Sequence, residues 1–389
     1  MSYRYRSLLP LVTSALLLFF CCLPANGEDW MGRIVDDAYV CQLSIPGTHD
    51  AATGHGFTGF LGMMGGDSYA RTQDKSLSEQ WESGIRAFDL RPCVDGSVLR
   101  INHGSIQTKL TLEDALGILC KLLDEHPTEM AIVLLRHETE GDDNNSEWNS
   151  KMQALLARDD VKSHALNFTP ALKMSQARGK LLILSRDEYA STPIGGFIRN
   201  WSHSSKFADQ RSGRIVGRSG QAQCYIQDFY EVTADGAKDV KRQSILTLLQ
   251  YMVKLKPTSR IWCINHTSGY SLTTSLFGNT ISTSDVYRDN AATQNAAVIE
   301  FLSEHAGPIG IVMMDYAAVD RSGNYDVKGL ALTQALIENN FRIPDGIQTT
   351  LSSSEERKPA YLYDLCGRHA QTNMHGKVIV MNGRKVMVK

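Results

Sequence analysis

Two histidines, His49 and His103, stand near acids and an arginine in the segments Thr48-His49-Asp50, Asp89-Leu90-Arg91 and Asn102-His103-Gly104. Imidazoles titrate near neutral pH. One can therefore take a proton from an attacking hydroxyl while the other, protonated, delivers one to a leaving alkoxide, each worth roughly 10²–10⁴-fold in rate. A carboxylate on each ring fixes its tautomer and favours its proton-loaded form, work that suits Asp50 and Asp315. A guanidinium fork aimed at a phosphate stabilises charge growing on the non-bridging oxygens, and Arg91 is best placed for it. The set suits phosphoryl transfer in which a neighbouring hydroxyl attacks a phosphodiester. The other nine histidines are read as structural; His266 alone among them is also expected to line the same mouth, because Ile264-Asn265-His266 ends an apolar run.

These side chains need a scaffold that gathers strand ends. Short apolar runs at Val40–Ile45, Gly84–Leu90, Val98–Ile101, Met130–Leu135, Lys180–Leu184, Gln223–Ile226, Arg260–Ile264 and Ile309–Met314 read as strands. Helix-period segments lie between them, including Thr111–His126, with Thr111 and Asp114 set for an N-terminal cap, and Lys238–Lys254, Asp289–His305 and Val327–Asn339. Alternation of strand and helix predicts an α/β fold, an irregular (β/α)8 TIM barrel, over a doubly wound sheet. In such a barrel the C-terminal strand ends share one face. His49, Asp50, Asp89, Arg91, His103, Arg136, Arg186, Asp228, Tyr230 and Asp315 all stand at or just past a run's end.

At 389 residues, with 42% hydrophobic and 21% charged residues, the chain has enough apolar material for a large core, and disorder, collagen and coiled coil are excluded. Basic residues number 40 against 42 acidic, a net charge of -2, which disfavours a nucleic-acid partner. Arg4 and Arg6 precede an apolar run from Leu8 to Leu23 and small residues up to Gly27, the pattern of a signal peptide cut after Gly27. The run is short of the ~20 residues of a spanning helix. Cleavage would leave a secreted or cell-surface protein with six cysteines, at 41, 93, 120, 224, 263 and 366. Several of these lie inside apolar runs and are expected as buried free thiols. With no CxxC or CxxH pair, no structural zinc site is supported.

The three linked segments Leu43 to Ala51, Gly84 to Arg91 and Asn102-His103-Gly104 resemble the bacterial phosphatidylinositol-specific phospholipase C family, and the resemblance runs from about Asp37 to Ile343. It implies an imperfect TIM barrel and a lyase reaction giving diacylglycerol and inositol 1,2-cyclic phosphate, with no cofactor. By the resemblance His49 is the general base on the inositol 2-hydroxyl, partnered by Asp315. His103 is the general acid, partnered by Asp50, and Arg91 binds phosphate. Asp89, Arg136, Arg186, Asp228 and Tyr230 match the substrate-binding positions; at Arg136 the family usually carries a lysine. Calcium-dependent relatives carry acidic metal ligands in this region. Arg91 stands at one of those places, so the resemblance implies no metal and calcium independence.

A lipid substrate calls for peripheral contact with a bilayer. Gly56 to Gly65, glycine-rich and containing Phe57, Phe60, Leu61, Met63 and Met64, follows the first strand and either dips into the interface or is a loop folded onto the barrel with its apolar side chains buried. Trp201, in a loop from Ser191 to Gly220, is a second candidate. Residues 344–360 read as a linker, and 361–389 as small strands around Asn382-Gly383, resembling a type IX secretion sorting tail or forming an accessory hairpin. A monomer acting on phosphatidylinositol, or on a glycosylated inositol phospholipid, is expected. The alternatives are a silent surface module that binds such lipids or glycans and a metal-dependent glycerophosphodiesterase.

Overall fold

Along strand Met130–Leu135 every side chain is buried, and alternate residues serve different cores. Met130, Ile132 and Leu134 point into one cluster with Ile45, Leu182, Ile226, Ile264 and Ile311. Ala131, Val133 and Leu135 join Leu112, Leu116, Leu119 and Leu332 in another. A strand apolar on both faces belongs to a sheet covered on both sides, here a closed barrel with one cluster inside it and the other beneath its helices.

The computed structural model describes residues 27–342 except 202, 205–210, 233–235, 271–273 and 277–278, together with the strand backbones 362–363, 378–381 and 384–387. The segment read as a signal peptide (except for Gly27), the whole of the linker and Cys366 lie outside the described residues. Around the barrel run Gly213–Gly217, Gly196–Arg199, Lys180–Ser185, Met130–Leu135, Ala87–Leu90, Ser44–Thr48, Gly310–Met314, Trp262–His266 and Gly220–Phe229, the last closing onto the first. Gly213–Gly217 is antiparallel to both neighbours; the other pairings are parallel. The irregular α/β barrel is thus what forms, with nine strands in place of the eight expected. Helices Leu112–Glu125, Ala237–Met252, Ser284–Glu304 and Gly329–Asn339 lie near their expected places, and Thr111 caps the first by accepting from the Asp114 N–H.

Two expectations are corrected. Val98–Ile101 is no barrel strand: Val98–His103 pairs with Pro92–Asp95 and Ile106–Thr111 in a separate antiparallel sheet. The two-residue connection Gly96-Ser97, with Gly96 at φ +57°, joins only antiparallel neighbours, whereas a parallel crossover needs a dozen residues or more. The loop placed at 191–220 holds the two glycine-bounded barrel strands Gly196–Arg199 and Gly213–Gly217. The described cysteines 41, 93, 120, 224 and 263 are free and buried, as expected. In the tail, Val378–Met381 pairs with Arg384–Met387 across Asn382-Gly383, with Leu362–Tyr363 on the other edge. Among the described residues no helix is long and apolar enough to cross a membrane.

Register explains why one end of the barrel gathers charge. Thr48 stands opposite Met314 on one side and Phe88 on the other, so the next residues, His49, Asp315 and Asp89, emerge side by side. Leu90 opposes Leu135, and Leu135 opposes Ser185, which sets Arg91, Arg136 and Arg186 in a row. Gln227 opposes Asn265, so Asp228 and His266 follow together. Gly47 is fixed by packing, since a Cβ there would stand 2.5 Å from the Met313 sulfur.

Candidate active site

Asp50 is the hub. Its residue follows the first strand in a left-handed conformation, φ 44° and ψ 52°, which turns a buried carboxylate back toward the mouth. Oδ2 lies 3.3 Å from His49 Nε2 and 3.1 Å from His103 Nδ1, and Oδ1 lies 3.0 Å from Arg91 Nε. The other His49 nitrogen, Nδ1, is 2.8 Å from Asp315 Oδ1. Arg91 also donates from Nε and Nη2 to Asp89 Oδ2, at 3.0 and 2.8 Å. The His49, Arg91 and His103 side chains keep 14%, 12% and 21% exposure, against 2% for Asp50 and none for Asp315, so the rings and the guanidinium can meet a ligand and the acids stand behind them.

The scaffold under His49 is equally specific. Buried Gln73 donates through Nε2 to the carbonyls of His49 and Met314, at 2.9 and 2.8 Å, and accepts from the Ala317 N–H. Tyr316, just past Asp315, takes φ 55°, uncommon for an aromatic residue, and its hydroxyl is held by the carbonyls of Arg71 and Ser284. Both sides of the His49–Asp315 contact are therefore clamped.

Charges in the site are strongly shifted. Burial works against a protonated His49, yet the Asp50 and Asp315 carboxylates outweigh it and raise the ring above its ordinary value. Burial also pushes the Asp315 carboxyl up, countered by His49. For Asp50 burial is overcome by Arg91 and then by the two histidines, and it is held below the usual carboxylate range; Asp89 is lowered in the same way by Arg91. The carboxylates in turn hold the Arg91 charge against burial.

A second group lies across the mouth. Trp201 Nε1 donates to Asp228 Oδ2 at 2.9 Å, and the Arg186 guanidinium lies 4.1 Å above the Trp201 ring. Trp201, named above as a membrane candidate, is thus tied into the site. Burial lowers Arg186 to about 10. His266 sits edge-on to His49 with centroids 6.0 Å apart, and burial lowers it to about 3, which keeps it neutral and outside proton transfer. Tyr230 stacks on Tyr270 at 5.3 Å. Arg136 Nη2 stands 3.9 Å from Glu138 Oε1.

Sequence reasoning missed three residues here. Glu138 is buried, and burial raises its carboxyl. Tyr287 places its hydroxyl 3.3 Å from His103 Nε2. Lys241 is fully buried beneath the site, lowered by burial to about 7 against the pull of Asp228 and Asp315, and donates to Gln227 Oε1 at 3.3 Å. Its signal was legible, since Lys241 shares the inward helical face of Ile245, Leu248, Leu249 and Met252. Tyr287 had none, being one aromatic residue on a long helix.

His49, Asp50 and Asp89 bring donor atoms within 4.8 Å of one another, the spacing of a cation site. Arg91 already bridges both carboxylates and supplies the positive charge there.

The segment named for the membrane is a helix, Gly59–Tyr69, not a loop. Phe57 is corrected: at 8% exposure it is buried under that helix, where Gly62 and Gly66 pass too closely for a side chain. Phe60, Leu61, Met63 and Met64 point outward at 74, 51, 76 and 74% exposure, which discards the folded-over arrangement for these four.

No protein-family model matches the chain. A 1-phosphatidylinositol phosphodiesterase of Listeria monocytogenes is 28% identical over 299 residues, covering 74% of this chain and 81% of that protein. One from Staphylococcus aureus is 23% identical over 215 residues, 54% of this chain and 66% of that protein. Among solved structures, the phosphatidylinositol-specific phospholipase C of L. monocytogenes superposes with a TM-score of 0.59 at 24% identity, over 81% of this chain and 98% of that one. That of S. aureus gives 0.62 at 17% identity, over 80 and 97%. The chain is a relative of the bacterial phosphatidylinositol phosphodiesterases and has the barrel fold of these phospholipases.

Proposed function

We propose that this relative of the bacterial phosphodiesterases is itself a phosphatidylinositol phosphodiesterase of the phospholipase C type, working without metal by two-histidine acid–base catalysis. The observation that carries the mechanism is one buried carboxylate, Asp50, within 3.3 Å of both imidazoles and 3.0 Å from Arg91. His49 Nε2 removes the proton from the inositol 2-hydroxyl, whose oxygen attacks phosphorus. The bond from phosphorus to the glycerol oxygen breaks, and His103 protonates that oxygen. Diacylglycerol leaves, and inositol 1,2-cyclic phosphate remains. Arg91 faces the non-bridging oxygens, where the charge grows, and its guanidinium takes the place a cation would hold. Asp89, Arg136, Arg186, Asp228 and Tyr230 surround the inositol ring; Arg186, Trp201 and Asp228 form one braced wall. Export through the leader, a single-chain working form and tolerance of a glycosylated head group belong to the same reading.

Phosphorus NMR of phosphatidylinositol vesicles treated with residues 28–389 in the presence of chelator tests it. The cyclic phosphate resonance is expected. Its absence, with vesicle binding intact, would defeat the reading, and turnover that needs added metal would replace it with metal-dependent hydrolysis.

Two further outcomes follow from the geometry. Asp50 and Asp315 raise His49, and a base must be unprotonated, so kcat/KM is expected to climb with pH through an acid limb above the ordinary imidazole value of 6.5. Asp315→Asn removes one carboxylate that favours the protonated ring. The limb should then move to lower pH while the maximum falls by roughly 10²-fold or more as ring orientation loosens. A pH profile that drops in height without moving would exclude His49 as the titrating base.

The outward face of helix Gly59–Tyr69 is the membrane contact in this reading. Phe60→Ser with Met64→Ser removes two side chains that are 74% exposed. At ~1 kcal/mol or more of apolar transfer each, vesicle affinity should fall by at least roughly tenfold, with hydrolysis of a soluble inositol phosphodiester unchanged. Co-sedimentation with lipid vesicles measures the first and phosphorus NMR the second.

A further inference from the structure

Tyr287 stands in the first turn of helix Ser284–Glu304 and is 4% exposed, in a cluster with Ala291, Tyr316 and Val327. Its helix start is tied down from several sides. Ser284 Oγ donates to the Asp67 carbonyl and accepts from the Arg71 N–H, and the Tyr316 hydroxyl reaches the Ser284 carbonyl. The hydroxyl that results has a fixed position, 3.3 Å from His103 Nε2, with the two rings 5.8 Å apart and tilted by 51°. His103 Nδ1 faces Asp50 at 3.1 Å, so the ring meets a polar group at both nitrogens. Burial pushes the phenol well above its ordinary value, and it keeps its proton throughout the working range. A neutral phenol can accept from an N–H or donate to a bare ring nitrogen.

We propose that Tyr287 is a positioning residue for leaving-group protonation: its hydroxyl holds His103 Nε2 in the delivering orientation before substrate arrives and caps that nitrogen after the proton has gone. The proposal rests on the reading of His103 as the general acid. Before the reaction Nε2–H is donated to the Tyr287 oxygen. The glycerol oxygen then takes that place, the bond from phosphorus to it breaks, and the proton moves from Nε2 to it. The phenol O–H turns to donate to the bare nitrogen until solvent restores the ring's proton. Tyr287 neither gains nor loses a proton over the cycle.

A structural role and this one differ in their dependence on the leaving group. Phosphatidylinositol expels an alkoxide that needs a proton, whereas the 4-nitrophenyl ester of inositol 1-phosphate expels a stable phenolate that does not. Tyr287→Phe, which deletes one oxygen, is expected to lower kcat on phosphatidylinositol by roughly 10- to 100-fold with KM little changed, and to leave the nitrophenyl ester within about threefold. In a His103→Ala background the same change should have no effect on either ester, because the residue acts through that ring. Equal losses on both esters, no loss on phosphatidylinositol, or a full additional loss without His103 would each overturn the proposal. If the variant melts early, the His103→Ala comparison still decides, since a folding defect persists there and a positioning defect does not. Failure of the wild-type chain on both esters would instead remove the functional reading on which this rests.

Discussion

Replacing His49 with Ala is expected to lower phosphatidylinositol cleavage by roughly 10⁴-fold, the upper range for loss of one acid–base group, while the melting temperature and vesicle binding stay close to wild type. His49 faces the mouth at 14% side-chain exposure, so truncation opens no cavity inside the barrel core. Its loss leaves Asp315 buried without its nearest partner, and since burial already raises that carboxyl, Asp315 can take up a proton rather than stay as an orphaned charge. That is why a large catalytic loss should come with a small stability change. His103→Ala should show a comparable loss on phosphatidylinositol. Both rings share Asp50, and in the proposed mechanism they serve one transfer, so the double variant is expected to fall little below the worse single one. Single-turnover release of cyclic phosphate measures each. A His49→Ala enzyme within tenfold of wild type would remove this residue from the chemistry.

Much of this site was legible because barrel topology converts position in a run into position in space. His49 and Asp315 are 266 residues apart, yet both stand one residue past a strand, and the parallel register of Thr48 with Met314 makes them neighbours. The same logic places Asp89, Arg91, Arg136, Arg186 and Asp228. It fails for His103, which is carried to the mouth by an antiparallel excursion that an apolar run alone cannot distinguish from a barrel strand. It fails also for Gly59–Tyr69, where glycine content reads as loop. Gly59, Gly62 and Gly66 are spaced three and four apart, one helical face, and their cost in helix propensity is offset by close seating on Phe57 and Gln107. Tyr287 and Glu138 reach the site through tertiary packing, which leaves no local pattern to read.

The second large effect concerns Arg91. Arg91→Lys keeps the charge and should nevertheless cost roughly 10²–10³-fold, mostly in kcat. The guanidinium uses Nε for Asp50 and Asp89 and Nη2 for Asp89, and it still has donors to turn toward a phosphate. One ammonium cannot bridge two carboxylates and also meet a phosphate oxygen with the same geometry. Since negative charge on the non-bridging oxygens grows toward the transition state, the missing contact should appear in kcat more than in KM. Arg91→Gln should go further, to roughly 10³–10⁵-fold, the range for loss of an arginine that stabilises phosphoryl transfer. It removes the leading force that keeps Asp50 ionised against burial, and Asp50 is the carboxylate both rings share. The glutamine variant should also lose activity at a higher pH on the acid side than the lysine variant, because the Arg91 charge opposes protonation of His49, the base whose titration sets the acid limb. Steady-state kinetics of both variants across pH separate the two effects. Equal acid limbs would mean that Arg91 acts on the phosphate alone, and a lysine variant within tenfold of wild type would mean that a point charge suffices.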